Sequence, residues 1–141
     1  MYKNILVALE NSHADEALIP HIAELAKIHG SHLLLVHVAD GWVARNFNTL
    51  KLTESEEMKT DRNYLESVAG KLRRKDLDVS THLALGDPPD EILKVAAKEK
   101  CDLIAMTAHG HRLIGDVFFG STIRSVRHKT KIPILLVHTP R

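Results

Sequence analysis

Cysteine occurs once in this 141-residue chain, at Cys101, so no internal disulfide can form, as suits a reducing cytoplasm. Within KCDLIAM this thiol opens an apolar run and is expected to be buried and inert. Net charge is nearly lacking too: 19 Lys and Arg stand against 18 Asp and Glu, for a formal +1. That balance lacks the basic footprint of a nucleic-acid-binding domain, so no nucleic-acid partner is expected. No run of apolar residues approaches the roughly 20 a membrane-spanning helix needs, and MYKNILVALENS turns polar too soon for a signal-peptide core; no membrane partner is expected. Seven glycines and five prolines are too few for a collagen-like or low-complexity chain. What remains is one ordinary globular domain over residues 1–141, with ten histidines as its one unusual count.

Five short apolar runs stand out: Ile5–Leu9, Leu33–Val38, Val79–Leu85, Leu103–Met106 and Ile134–Val137. Four are too continuous for a sheet with one wet face and read as strands covered on both sides. Val79–Leu85 alternates more, as a strand near the sheet edge would. Segments of helical period lie between them. Ser12 with Asp15 forms a capping-box pattern ahead of a stripe through Ala14, Leu18, Ile22, Leu25 and Ile28, closed by Gly30. Pro20 inside this stretch is expected to bend the helix. Thr53 and Glu56 announce a second helix with Met58, Leu65, Val68 and Leu72 inward, ending in Arg73, Arg74 and Lys75, a solvated basic turn. The connection Ala39–Leu52, with Trp42 and Phe47, is long enough for a lid or a partner surface, while plain packing of Trp42 over the sheet end is the alternative reading of that residue. Asp87-Pro88 starts a third helix, with Asp90 and Glu91 in its first turn, and a fourth is expected from about Gly120-Ser121-Thr122 to Lys129. Strand alternating with helix predicts a doubly wound parallel α/β sheet with helices on both faces.

In such a sheet a ligand lies beyond the carboxyl ends of the strands, where the winding reverses. After the fourth strand the chain reads Met106-Thr107-Ala108-His109-Gly110-His111-Arg112, and later Gly120-Ser121-Thr122. Glycines allow close backbone approach, and a helix start with Ser and Thr hydroxyls is an anion site; a plain turn and an N-cap explain the same residues structurally. Known phosphate loops do not fit. Gly110 and Gly115 have Walker spacing, but Asp116 and Val117 follow where Lys and Ser or Thr are required, and no G-x-G-x-x-G or G-x-S-x-G occurs.

The stretch Thr107-x2-Gly110-x9-Gly120-Ser121 resembles the G-x2-G-x9-G-[S/T] motif of nucleotide-binding universal stress proteins, departing only at its first glycine. The likeness extends along the chain, through ILVALENS, His37-Val38, Gly86-Asp87-Pro88 and IPILLVH. It implies a single doubly wound five-stranded parallel sheet of order 3-2-1-4-5, adenine-nucleotide alpha-hydrolase-like, with the reversal between strands one and four. It further implies that Ala8 and Glu10 line adenine and ribose, that Val38 and Met106 give apolar adenine contacts, and that Gly110, His111, Arg112, Gly120, Ser121 and Thr122 meet the phosphates. Glu10 stands where the family has Asp, and Thr107 replaces a glycine beside the ribose, adding bulk and disfavouring a positive φ. The implied ligand is ATP or AMP, with Mg²⁺ or Mn²⁺ on the phosphates, and the implied assembly is a homodimer through the last strand.

His109 and His111 flank Gly110, but no third donor lies near in sequence, so no dedicated metal site is assigned. No base stands beside Ser121, so no catalytic residue is assigned either. The expectation is a non-enzymatic adenine-nucleotide-binding module of the stress response. A dimeric interaction protein of the same family that binds no nucleotide, and a slow ATPase, are the alternatives.

Overall fold

The computed structural model describes residues 1–39, 56–108 and 114–140, with the side chains of 114–120 left aside. Its strands are β1 (Asn4–Ala8), β2 (His32–Ala39), β3 (Asp78–Leu85), β4 (Leu103–Ala108) and β5 (Ile134–His138). They pair in parallel throughout, in the order β3-β2-β1-β4-β5, as expected. The helices are α1 (Asp15–His29), α2 (Glu56–Arg73), α3 (Pro88–Lys98) and α4 (Ile114–Lys129).

Alternation along β1 explains the two-sided core. Ile5, Val7 and Leu9 face one layer, where Leu18 and Ile22 of α1 and Leu65, Val68 and Leu72 of α2 pack. Leu6 and Ala8 face the other, with Ile92, Val95 and Ala96 of α3 and Val126 of α4. Period two in the strand meets period 3.6 in the helices, so the runs of β1, β2 and β4 are covered on both faces, whereas Ile134–Val137, expected to be covered as well, lies on the edge strand β5 and stays half-buried, with Leu136 exposed. Full burial of a side chain such as Leu18 or Ile22 contributes about 1.5–3 kcal/mol.

Helix ends hold some surprises. Gly30 takes the left-handed conformation expected of it, at φ 65°, and Pro88 opens α3 behind Asp87, whose side chain makes no capping bond. The Ser12–Asp15 capping box does not form: α1 starts at Asp15, Ser12 Oγ accepts from the Ala14 amide at 3.2 Å, and the Asp15 carboxylate turns backwards. Ile28 is 76% exposed, against the expected stripe, and Ala23 and Ala26 are buried instead. α1 runs without interruption through Pro20. Arg73 is more than a solvated end, because its guanidinium donates to the Val79 carbonyl at 2.8 Å and ties α2 to β3. Cys101 is buried as expected, and burial, with Glu99 and Asp102 nearby, pushes its thiol up to about 11. The Ala39–Leu52 connection with Trp42 and Phe47, and Thr53, lie outside the described residues apart from Ala39.

Candidate functional site at the carboxyl ends of β1 and β4

Winding reverses between β1 and β4, and their pairing stops at Val7↔Ala105. Beyond that pair lie the carboxyl ends of the two strands, the place where this architecture receives ligands. Ala8 and Met106 at those ends are buried, Val38 is half-buried, and all three belong to the layer on the α3–α4 side. Three of the expected apolar contacts are therefore brought to one face. Thr107 follows Met106 and by strand alternation falls on the opposite face, with Ala105. Its side chain thus leaves the Ala8–Met106 face clear, and it is not among the residues at positive φ. Among the described residues, Thr107 Oγ1 is buried with no hydrogen-bond partner.

The β1 side is built from polar groups. Buried Asp15 accepts from the amides of Glu10 and Asn11, both at 2.9 Å, and from the Tyr64 hydroxyl at 2.6 Å. Burial and the adjoining Asp15 carboxylate hold the Tyr64 phenol far above its ordinary range. Asn11, at φ 60°, donates from its side chain to buried Asp61 at 2.7 Å. His37 Nδ1 lies 2.8 Å from the Leu9 carbonyl, which can only accept, so this nitrogen carries the proton; Nε2 lies 3.4 Å from the second Asp61 oxygen. Four elements, β1, β2, α1 and α2, are stitched together at the tip of β1.

Against this tip lies a cleft of about 570 Å³, lined by Glu10, Asn11, His37, Val38 and, from α2, Glu57 and Asp61. Three carboxylates make it acidic. Such a wall suits hydroxyl and amino donors, as on a ribose or a purine, and repels phosphate. The donor set of the cleft therefore fits the sugar end of a nucleotide, leaving phosphate recognition to the β4 side.

On that side the expected helix start is corrected. α4 begins at Ile114, so Gly120, Ser121 and Thr122 lie in its interior, Ser121 exposed and Thr122 buried. In the sequence, Ile114, Val117 and Phe118 continue the helical spacing back towards the loop. The free amides of a helix start therefore belong to the residues from Ile114, not to Gly120. His109, Gly110, His111 and Arg112 lie outside the described residues.

Sequence reasoning missed Asp15, Tyr64, Asn11, Asp61 and His37 as parts of the site. Two of them carried a readable signal. Asp61 interrupts the stripe Met58, Leu65, Val68, Leu72 at a position that faces inward, and Asp15 precedes Leu18 and Ile22 on the buried face of α1. A carboxylate in an apolar stripe must be satisfied locally, and both are.

The family model described as the universal stress protein family matches residues 1–138. A universal stress protein of Thermus aquaticus is 34% identical over 145 residues, covering 97% of this chain and 99% of its own length. Universal stress protein MJ0577 of Methanocaldococcus jannaschii is 27% identical over 157 residues, or 97% of this chain and 95% of the relative. The solved structure of MJ0577 superposes with a TM-score of 0.82 at 26% identity, covering all of this chain and 99% of the other. A universal stress protein from Archaeoglobus fulgidus, solved in complex with dAMP, superposes with a TM-score of 0.72 at 23% identity, over 96% of this chain and 98% of the other.

Proposed function

The chain belongs to the universal stress protein family, and from that premise we propose that it binds an adenine nucleotide, ATP or AMP, at the carboxyl ends of β1 and β4 and serves as a regulatory module of the stress response. The observation that carries the reading is the cleft at the tip of β1: Val38, in one layer with Ala8 and Met106, beside the acidic wall of Glu10 and Asp61. Adenine stacks on the former and the ribose hydroxyls donate to Glu10. A family member from Archaeoglobus fulgidus solved with dAMP supports the ligand class. Gly110, His111 and Arg112, with Gly120, Ser121 and Thr122, form the phosphate cradle in this reading, on the strength of their spacing. With Gly120 inside α4, that stretch contributes close approach and hydroxyls, and the free amides come from the helix start at Ile114.

Thr107 does not argue against the ligand, since its side chain falls on the face away from Ala8 and Met106. Mg²⁺ or Mn²⁺ enters with the phosphates of ATP; among the described residues no group of three or more His, Cys, Asp or Glu side chains is placed to hold a metal by itself. The module is not an enzyme in this reading, and it assembles as a homodimer through β5, an edge strand whose Leu136 is 38% exposed. None of the described helices is long and apolar enough to cross a membrane; the cytoplasm as its place of work is part of the proposal.

Mass spectrometry of small molecules released on denaturing the gently purified protein tests the ligand. Recovery of AMP or ATP is expected. An empty protein that also fails to take up added AMP at millimolar concentration would favour the nucleotide-free interaction protein. Light scattering tests the assembly, with twice the 15.8 kDa chain mass expected and conversion to monomer on Leu136→Asp.

A further inference from the structure

A second cavity lies away from the cleft at the tip of β1, in the groove between the outer faces of α1 and α2. It measures about 820 Å³ and continues, past Pro20 and Lys75, into a further pocket of about 420 Å³. Sites for small organic ligands fall within about 300–1,000 Å³ and combine an apolar lining with a few placed polar groups. Here the floor is Ile19, Val68 and Leu72, and the last turn of α2 with the turn that follows it supplies a rim of Lys71, Arg74 and Lys75.

Charge decides what the groove would take. Glu16 and Glu24 of α1 face the rim cations, yet among the described residues no ion pair within 4 Å joins them across the gap. The walls stand too far apart to close on each other, and the three rim cations keep their charge available. They cluster at and just beyond the carboxyl end of α2, so the groove is electrically lopsided: polar and acidic towards Tyr64, with Asn11, Ser12, His13 and Glu16, and cationic towards Lys75, with the apolar strip between. The side of α1 from Glu16 to Lys27 is about three turns long, ~16 Å. Val68 and Leu72 are nearly buried and only Ile19 is half-open, so the apolar floor is a narrow strip. A strip of that width seats one alkyl chain and is too slight for a partner helix about 10–12 Å across.

We propose that the α1–α2 groove binds a single-chain amphiphilic carboxylate, with its alkyl chain along Ile19, Val68 and Leu72 and its head group at Lys71, Arg74 and Lys75. The head is held by charge with little geometric demand, as exposed lysines do, and the tail supplies most of the affinity.

The test uses dodecanoate below its micelle concentration, with dodecyltrimethylammonium as the tail-matched cation, followed by calorimetry on the intact protein. Saturable one-to-one binding of dodecanoate is expected, with the cation at least about tenfold weaker. Replacing the rim together (Lys71→Gln, Arg74→Gln, Lys75→Gln) should weaken dodecanoate about tenfold or more. Ile19→Trp, which fills the floor with an apolar group, should abolish binding while circular dichroism stays unchanged. Absence of saturation, equal binding of the cationic amphiphile, or an unchanged affinity in both variants overturns the proposal. So would association of the protein with itself, or with an acidic peptide, through these residues in place of dodecanoate.

Discussion

The carboxyl ends of β1 and β4, neighbours in the sheet, are built on opposite principles. On the β1 wall the polar groups answer one another: Asp15 takes two amides and a phenol, Asn11 reaches Asp61, and His37 is held between Leu9 and Asp61. On the β4 wall, Met106 and Thr107 are both fully buried, and the Thr107 hydroxyl has no partner among the described residues. The difference shows where rigidity is invested. The tip of β1 is locked before any ligand arrives, whereas the end of β4 is packed shut and carries a polar atom uncompensated among the described residues. A preorganised polar wall at the tip of β1 is the arrangement expected of a site that orients a sugar by hydrogen bonds.

The comparison breaks most visibly at Asp15. Asp15→Ala leaves two amides and the Tyr64 hydroxyl without their acceptor in a buried setting, and urea unfolding should show a loss of about 3 kcal/mol or more. A loss below about 1 kcal/mol would mean that the β1 wall is not locked as described. Thr107→Val tests the other wall with the opposite sign. Removing a buried hydroxyl that has no partner, at nearly constant shape, should stabilise the protein by about 1 kcal/mol. Destabilisation would show that the hydroxyl is satisfied after all.

Tyr64 sharpens the contrast at high pH. Its folded-state proton is held more tightly than in the unfolded chain, so its contribution is fully present below the unfolded phenol value, about 10, and is lost as pH rises above it. Urea midpoints of the natural protein should therefore fall more steeply above pH 10 than those of Tyr64→Phe. The smallest effect concerns Cys101: with its thiol raised to about 11, it should resist iodoacetamide at pH 8 while folded and react once urea unfolds the chain.

Much of this architecture is legible in the residues. Continuous apolar runs such as Ile5–Leu9 announce doubly covered strands, Gly30 and Pro88 mark helix boundaries, and the strand order follows from the family likeness. The α1 stripe was legible only to its midpoint. Steps of three residues from Ile22 to Leu25 to Ile28 drift about 120° around a helix, whereas Leu18, Ile22 and Ala26, spaced by four, stay closer to one face. Asp15 misleads for a related reason: the spacing Ser12-x-x-Asp15 is that of a capping box, and only the backward turn at Asn11 sends its carboxylate to β1. The α4 start was misplaced because Gly120-Ser121-Thr122 has the chemistry of a cap, while the apolar spacing from Ile114 already satisfies a helix. Contacts between distant segments, such as Asn11 with Asp61 or His37 with Leu9, leave no mark on local spacing at all.

Calorimetric titration of AMP into the natural protein and into Glu10→Ala bears most directly on the central claim. The cleft at the tip of β1 predicts one-to-one binding with a dissociation constant at or below about 1 mM, and about tenfold weaker binding for Glu10→Ala with the fold intact. No binding of AMP at millimolar concentration, or an affinity indifferent to Glu10, would contradict it.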